Sequence, residues 1–222
     1  MTVWSSTSKP LERLLAEIRS CRVCVEAPLG RPLAHEPRPV LCLSATARLL
    51  IAAQAPGVRV QRSGTPFTDA SGDRLRSWLG LTPEVFYDAR HVAIVAMGFC
   101  FPGHDAKGSD LPPRPECRAL WHDRLFAAMP QIETILMIGR YAQDYHLRRL
   151  GRAGDAGRNL SETVSRWREI ASPSRPRLFP LPHPSWHNNL WIKKNSWFEA
   201  ELLPAVRHEV SRLLELEGAA PP

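Results

Sequence analysis

Four short runs of apolar residues recur along the chain, and each one ends at a turn signal or a polar segment. Such runs are too short for core helices and are nearly continuous, which is typical of strands buried on both faces of a parallel sheet. They cover residues 48–53, 91–97, 132–138 and 177–182. Since helical patterns separate them, the chain is predicted to be an α/β protein, a three-layer αβα fold around a four-stranded parallel sheet.

Apolar residues at helical spacing mark the intervening segments. The first helix is predicted from one apolar face, formed by Leu11, Leu14, Leu15 and Ile18. Further helices are predicted at 75–79, 115–129, 141–150, 160–170 and 196–216. Pro204 lies inside the last of these and should kink or restart it. Loops are expected at 26–46, 54–71 and 151–158.

The length of 222 residues suits a single domain over 1–222, with 1–47 as an N-terminal helix and cysteine-bearing segment and 217–222 as a flexible tail. No apolar run approaches the ~18 residues of a membrane span, and the start lacks a secretory pattern. We therefore expect a cytoplasmic monomer with no membrane contact. The net charge of +7 is compatible with a polyanionic partner such as nucleic acid, or with scattered charge on a soluble protein.

Three features fall at the carboxyl ends of the predicted strands: the turn at Gln54, the segment after Met97 and the turn at His183. Ligands of open α/β sheets bind at this edge. These three features are therefore expected to meet in one crevice.

Five cysteines lie in the chain, and their spacing is more informative than their number. Cys21 and Cys24 form a C-x-x-C pair, Cys100 and Cys117 flank a loop rich in Pro and Gly, and Cys42 stands apart. Disulfides are not expected in the cytoplasm. By ligand type alone, four thiolates suit an iron–sulfur cluster or zinc equally well.

The turn after the first strand reads Gln54-Ala-Pro-Gly57 and is followed by Gly64-Thr-Pro-Phe67 and by Thr68-Asp69-Ala-Ser-Gly-Asp73. This order resembles motif A of the uracil-DNA glycosylases, above all their iron–sulfur branch. The resemblance implies that a flipped base stacks on Phe67 while Ala55, Pro56 and Gly57 contact the base and sugar. A flat pocket with an aromatic wall is what a flipped base requires.

The catalytic carboxylate departs from the iron–sulfur branch, whose turn has an acid where this chain has Gln54. A second branch places an aspartate in a G-D-x-S-G-D stretch, which 68–73 resembles. We therefore favour Asp69 as the group that assists water attack on an oxocarbenium-like sugar, and keep Gln54 as a second candidate catalytic residue. The alternative for Asp69 is a helix N-cap, and that for Asp73 is a first-turn residue that complements the helix dipole.

Leu181-Pro-His183-Pro-Ser185 follows the fourth predicted strand and resembles motif B of the same superfamily. The resemblance implies that His183 donates a hydrogen bond to the leaving base, a contribution of roughly 3–4 kcal/mol for such donors, with Ser185 beside the substrate. It also implies that the next loop enters the DNA minor groove. The expected DNA contacts are Trp186, His187, Asn189, Lys193 and Lys194. A structural histidine and surface tryptophans are the alternative.

The cysteines also match the iron–sulfur branch, in which a C-x-x-C pair joins two later cysteines. The resemblance therefore favours a [4Fe–4S] cluster over zinc, held by Cys21, Cys24, Cys100 and Cys117, as a clip for the N-terminal helix and a DNA-facing loop. Some relatives carry a covalently reacting histidine in that loop; His104 lies there without the motif that surrounds it in those relatives.

The family also has an asparagine that reads the uracil edge where this chain has Ala96. The resemblance as a whole implies a monofunctional DNA repair glycosylase acting on uracil or another deaminated base. A catalytically weak DNA- or lesion-binding protein, and a zinc-stabilised protein of unrelated function, are the alternatives.

Overall fold

The computed structural model describes residues 8–172 and 175–215, and four parallel strands form its sheet. The strands are β1 Leu49–Ala53, β2 Val92–Ala96, β3 Thr134–Ile138 and β4 Arg177–Leu181. They lie in the order β2-β1-β3-β4, and every neighbouring pair is parallel. Each predicted apolar run forms one of these strands, so the prediction of a four-stranded parallel sheet is confirmed.

The sheet divides the hydrophobic core into two halves, because successive side chains of a strand point to opposite faces. Ile51 and Leu136 belong to the core on one face, while Leu50 and Ile135 belong to the core on the other. All residues of the first three strands are buried, which explains why they read as continuous apolar runs rather than as alternating ones.

Helices cover both faces, as the three-layer prediction requires. They are α1 Ser8–Arg19, α2 Val23–Glu26, α3 Val58–Ser63, α4 Ala70–Leu79, α5 Pro83–Phe86, α6 Pro115–Ala127, α7 Arg140–Arg149, α8 Leu160–Ser165, α9 Trp167–Ile170, α10 Asn189–Lys194 and α11 Leu203–Leu214. Helices α1, α6 and α7 contribute to one core, and α4 and α11 to the other. No helix of the described residues is long and apolar enough to cross a membrane.

The helices differ from the prediction mainly where they are short. Helices α3, α5 and α10 occupy segments without a predicted helix, and the helix predicted at 160–170 is broken into α8 and α9 at Arg166. Such short helices are stabilised by tertiary contacts rather than by a periodic pattern of their own. Pro204 does restart the last helix, since a π-helical segment over Phe198–Leu202 precedes α11. The predicted tail at 217–222 lies outside the described residues.

The segment before β1 is attached to the edge of the sheet as well as covering the core. Cys42 and Ile94 exchange backbone hydrogen bonds as an isolated antiparallel bridge, with N···O distances of 3.1 and 2.6 Å. This bridge covers part of the open edge of β2, and it gives Cys42 a position away from the other four cysteines.

Candidate active site

A cavity opens at the carboxyl ends of the strands, between the turn that follows β1 and the segment that leads into α4. Its lining residues are Val40, Ala53, Ala55, Pro56, Gly57, Val60, Pro66, Phe67, Asp69, Ser71, Ile94, Ala96, Asp110 and His183. The two segments that resemble glycosylase motifs therefore meet here, although they are far apart in sequence. Six of the residues predicted for the site line this cavity: Ala55, Pro56, Gly57, Phe67, Asp69 and His183.

The cavity has an apolar floor and a polar rim. Val40, Ala53, Ile94 and Ala96 form the floor and are each less than 10% exposed. The two carboxylates stand nearer to solvent, since Asp69 is partly buried and half of the Asp110 side chain is exposed. A planar apolar group fits the floor, and charged chemistry is confined to the rim.

Phe67 is held in an unusual backbone conformation, with a φ of 55°. A residue other than glycine in this left-handed region costs on the order of 1–3 kcal/mol, and such strain concentrates at functional sites. The Tyr87 hydroxyl (2.9 Å) and the Arg76 guanidinium (3.3 Å) both donate hydrogen bonds to the Phe67 carbonyl oxygen. The ring packs edge-on against Phe86, at 6.1 Å between centroids. Neither Arg76 nor Tyr87 was predicted, because nothing in their sequence spacing connects them to Phe67.

Gly72, in the first turn of α4, permits this arrangement. A Cβ atom at this position would lie 1.7 Å from the Phe67 carbonyl oxygen. Only a residue without a side chain lets the helix approach the strained segment so closely.

Asp69 begins α4 as its N-cap, because its Oδ1 atom accepts a hydrogen bond of 3.2 Å from the Gly72 amide. The capping alternative is therefore confirmed, and Asp69 also lines the cavity. A carboxylate has two oxygens, so capping through one and contact with a substrate are compatible. Asp73 lies in the first turn of α4 and forms an ion pair with Arg76, as a structural role predicts.

His183 follows β4 and lines the same cavity as the motif A turn. Its main-chain carbonyl accepts a hydrogen bond of 2.7 Å from the Asn188 side chain, which closes the turn. Burial lowers the pKa of His183, while the negative charges of Asp69 and Asp110 act in the opposite direction. The imidazole is therefore largely neutral at pH 7 and can donate one N–H to a bound group.

Two of the predicted site residues do not line the cavity. The Gln54 main-chain carbonyl accepts a hydrogen bond of 3.1 Å from the Gly98 amide, and its side-chain oxygen lies near Gly139 beyond β3. Gln54 thus shapes the turn through its main chain, and its placement gives no support to the predicted catalytic role. Ser185 also stands outside the lining, and its carbonyl accepts a hydrogen bond of 3.2 Å from Arg74.

The segment after His183 forms a 3₁₀ turn over Trp186–Asn188 followed by α10, where the sequence predicted a loop. Trp186 is 70% exposed and stacks on His187, with 3.8 Å between ring centroids. Leu190, which was not predicted as a contact residue, is 72% exposed. The protein therefore presents a protruding apolar surface beside the cavity, which we call the wedge and define as Trp186, His187 and Leu190.

The wedge is anchored to α4 by Arg74, another residue that the sequence did not single out. The Arg74 guanidinium donates hydrogen bonds to the Ser185 carbonyl and, at 2.7 Å, to the Asn189 side chain. Asn189 is therefore engaged within the protein, whereas Lys193 and Lys194 are exposed at the end of α10.

A second, smaller cavity lies apart from the first and contains the four predicted ligand cysteines. Its lining residues are Cys21, Val23, Cys24, Pro37, Pro39, Phe99, Cys100, Arg114 and Cys117. All four are free thiols, so the structure agrees with the expectation of no disulfide among them. Among the described residues, no three or more His, Cys, Asp or Glu side chains are grouped to hold a single metal ion. The four thiols instead surround a cavity.

Two of these sulfurs accept hydrogen bonds from N–H groups. The Phe99 amide donates to Cys117 (3.3 Å) and the Trp121 indole donates to Cys21 (3.2 Å). The Arg114 guanidinium and the Arg38 backbone N–H lie near Cys24 and Cys100, and they act to lower the pKa of these two thiols against the effect of burial. Such donors stabilise sulfur in its anionic form, as iron–sulfur sites require.

Burial acts against the anionic form of these cysteines. It raises the pKa of Cys100 to about 12 and raises that of Cys117 well above its ordinary value. A metal group would therefore have to displace protons from these thiols on binding. With that condition, the four thiols that line this cavity are the residues that would hold such a group.

A family model for the uracil DNA glycosylase superfamily matches residues 42–207 of the chain. The matched span contains all four strands, every predicted residue of the first cavity and the wedge, and it begins after the C-x-x-C pair. Members of this superfamily are DNA glycosylases, a class of hydrolases. Because the match covers most of the chain and agrees with the fold and the cavity, the protein belongs to the uracil DNA glycosylase superfamily.

Proposed function

We propose that the protein is a monofunctional DNA glycosylase that flips a deaminated base, in the first place uracil, out of DNA and hydrolyses its N-glycosidic bond. The observation that carries this proposal is the convergence of Phe67, Asp69 and His183 on one cavity with an apolar floor. An aromatic wall, a carboxylate and a neutral hydrogen-bond donor are the groups that base excision needs.

Phe67 stacks on the flipped base, and the cavity floor surrounds the base edge. Ala55, Pro56 and Gly57 carry little side chain, so their main-chain groups can approach the base and sugar. The strained conformation of Phe67 fixes the ring before substrate arrives, which reduces the ordering cost of binding.

His183 donates an N–H to the base oxygen on which negative charge develops as the glycosidic bond breaks. Burial keeps this imidazole neutral. A neutral N–H stabilises the leaving anion through a hydrogen bond, and the imidazole keeps its proton. Losing one such donor reduces kcat by about 10²–10³-fold in other enzymes.

Asp69 assists the attack of water on the sugar. The N-cap hydrogen bond fixes the carboxylate at the cavity wall. The negative charge of the carboxylate stabilises the positive charge on the oxocarbenium-like sugar. The wedge enters the minor groove and supports the extruded base, with Lys193 and Lys194 near the phosphates.

The residues of the cavity floor determine which bases the enzyme accepts. Ala96 offers no side-chain amide to read a uracil edge, so the base is read by main-chain groups of the turn after β1. We therefore propose that the enzyme tolerates hypoxanthine or xanthine beside uracil, because main-chain readout and an apolar floor discriminate weakly among planar bases.

The test measures base release by the purified chain from single- and double-stranded oligonucleotides that carry uracil, hypoxanthine or xanthine. Release of at least one base is expected, together with a loss of about 10²-fold or more in His183→Ala. Binding to these oligonucleotides without release of any base would instead support a lesion-binding protein and refute the enzymatic proposal.

A matched pair of variants tests Asp69. Asp69→Asn keeps an N-cap acceptor and removes the charge, so base release should fall at least tenfold while the helix stays capped. Asp73→Asn removes the same charge from the same helix at a residue that does not line the cavity, and asparagine can still accept the hydrogen bond from Arg76, so the rate should change little. Equal rates for the two variants would contradict the role of Asp69.

We further propose that Cys21, Cys24, Cys100 and Cys117 hold a [4Fe–4S] cluster, in keeping with the cytoplasmic location that we propose for a protein with free thiols. When bound, the group would act as a structural clip between the N-terminal segment and the segment before α6. The support is the shared cavity of the four thiols, the N–H donors at Cys21 and Cys117 and the resemblance to the iron–sulfur branch. Iron and acid-labile sulfide in the purified protein, lost in Cys100→Ser, are expected; stoichiometric zinc without iron would contradict the cluster.

A further inference from the structure

The rim of the active-site cavity contains a second carboxylate, Asp110, that no sequence motif marked. Asp110 belongs to the segment between β2 and α6, not to the turn after β1 or to α4. It nevertheless lines the same cavity as Asp69 and His183.

The segment that carries Asp110 is folded into a tight hairpin. Backbone bridging pairs His104 with Asp110, and the Leu111 amide donates to the Gly103 carbonyl at 2.9 Å. At the tip, Asp105 accepts the amides of residues 107 and 109 through Oδ1, at 2.8 and 2.9 Å. These contacts fix the backbone that presents Asp110, so its position is a property of the fold.

The Asp110 carboxylate lies directly beside the motif A turn. Its Oδ2 atom lies 3.7 Å from the point that a Cβ atom on Gly57 would occupy. Its Oδ1 atom lies 3.2 Å from His104 Nδ1, which orients the group. The same carboxylate is close enough to influence the proton affinity of His183, as Asp69 does. Asp110 thus shares the electrostatic environment of the reaction site.

Depth within the cavity decides what Asp110 can contact. The apolar floor of Val40, Ala53, Ile94 and Ala96 accepts the base, because the base is the planar part of the nucleotide. The sugar stays at the rim, since the DNA backbone tethers it. Asp110 is at the rim, where half of its side chain is exposed. A nucleotide bound with its base on this floor would therefore present its sugar, and not its base, to Asp110.

We propose that Asp110 is a second catalytic carboxylate, which stabilises the positive charge on the sugar while Asp69 assists the attacking water. This assignment rests on the proposed glycosylase function. In the reaction the C1′–N bond breaks and its electron pair leaves with the base. Water forms the new C1′–O bond and its proton departs through Asp69. Asp110 exchanges no atom or electron and acts through its charge.

Asp110 also accounts for the departure at Gln54. Where the iron–sulfur branch has an acid in the turn after β1, this chain has a glutamine whose side chain lies near Gly139. The hairpin brings a negative charge back to this region, beside Gly57 of that same turn.

The experiment compares single-turnover release of uracil by the wild-type chain, Asp110→Asn and the control Asp105→Asn. Asp105 bears the same charge in the same hairpin without lining the cavity, and asparagine keeps the Oδ1 atom that accepts the amides of residues 107 and 109. We expect Asp110→Asn to be about 10–100-fold slower, at the low end of the range for such groups because Asp110 is half exposed. Asp105→Asn should stay within about twofold of the wild type.

Binding separates catalysis from substrate affinity. Affinity for an oligonucleotide with an uncleavable 2′-fluoro uracil nucleotide should be unchanged or tighter in Asp110→Asn, since a negative charge near the phosphates is lost. Asp110→Glu keeps the charge and should recover part of the rate. The assignment is overturned if Asp110→Asn releases uracil at the wild-type rate, if weaker binding explains its loss, or if Asp110→Glu is equally slow. No release by the wild-type chain would instead overturn the glycosylase proposal, and this assignment with it.

Discussion

Gly72→Ala should destabilise the protein, even though alanine is the better helix former. Exchanging glycine for alanine within a helix gains up to about 1 kcal/mol. Against this gain, the new Cβ atom would lie 1.7 Å from the Phe67 carbonyl oxygen and 2.6 Å from its carbon. Both are backbone atoms, so no rotation of a side chain relieves the contact.

The cost follows from the contacts that the Phe67 carbonyl must give up. An ordinary distance between a Cβ atom and this oxygen is 3.4 Å, twice the 1.7 Å that the substitution would impose. The oxygen must therefore move away from α4, which breaks its hydrogen bonds from Tyr87 and Arg76. These are worth roughly 1 kcal/mol for the hydroxyl and about 1.5–3 kcal/mol for the charged donor. Overpacking adds about 1–3 kcal/mol. After the helix gain, the net loss is at least about 2.5 kcal/mol.

Urea unfolding followed by circular dichroism measures this loss, and a midpoint about 1 M lower than that of the wild type is expected. Gly154→Ala is the matched control, because no heavy atom lies within 4 Å of its added Cβ, and its midpoint should barely change. Base release should also slow in folded Gly72→Ala, because Phe67 is displaced. A variant as stable as the wild type would refute the reasoning.

Three further substitutions test other parts of the fold. Burial lowers the pKa of His122 to about 4 from 6.5, so stability should fall as pH drops from 6.5 towards 4, by up to about 3 kcal/mol. In urea titrations at pH 7 and 4.5, His122→Phe should lose less stability than the wild type; equal losses would contradict this. Tyr87→Phe removes the hydroxyl bound to Phe67 and should cost about 1 kcal/mol of unfolding free energy, and an unchanged midpoint would exclude this contribution. Arg74→Met should leave the urea midpoint within about 0.5 M but reduce base release several-fold by freeing the wedge, and an unchanged rate would argue against that anchoring.

The strands could be predicted because their chemistry is local. Residues buried on both faces of a sheet must be apolar at every position, so β1 and β3 appear as unbroken runs in the sequence. Short helices such as α5 carry no such signature, since four residues span barely one turn and depend on neighbours for stability.

Active-site residues could be predicted only where they occupy a position in a recognisable motif. Phe67 and His183 follow turn and strand-end patterns, and both line the cavity. Gln54 occupies a motif position, yet which way its side chain points depends on the local backbone and not on residue order. Asp110 could not be predicted, because its place in the cavity depends on how the hairpin folds back over a turn that is distant in sequence.

The cysteine cavity has a mechanical consequence for the reaction site. Cys100 and Cys117 stand at the two ends of the segment that carries Asp110, and both return to one small cavity. The hairpin is therefore a closed loop whose ends are fixed, which removes much of the conformational entropy that a chain of this length would otherwise have. Any condition that lets the four sulfurs drift apart would lengthen the effective tether of Asp110. Its carboxylate would then sample more distances from His183, and the contribution to the rate that we propose for it would fall.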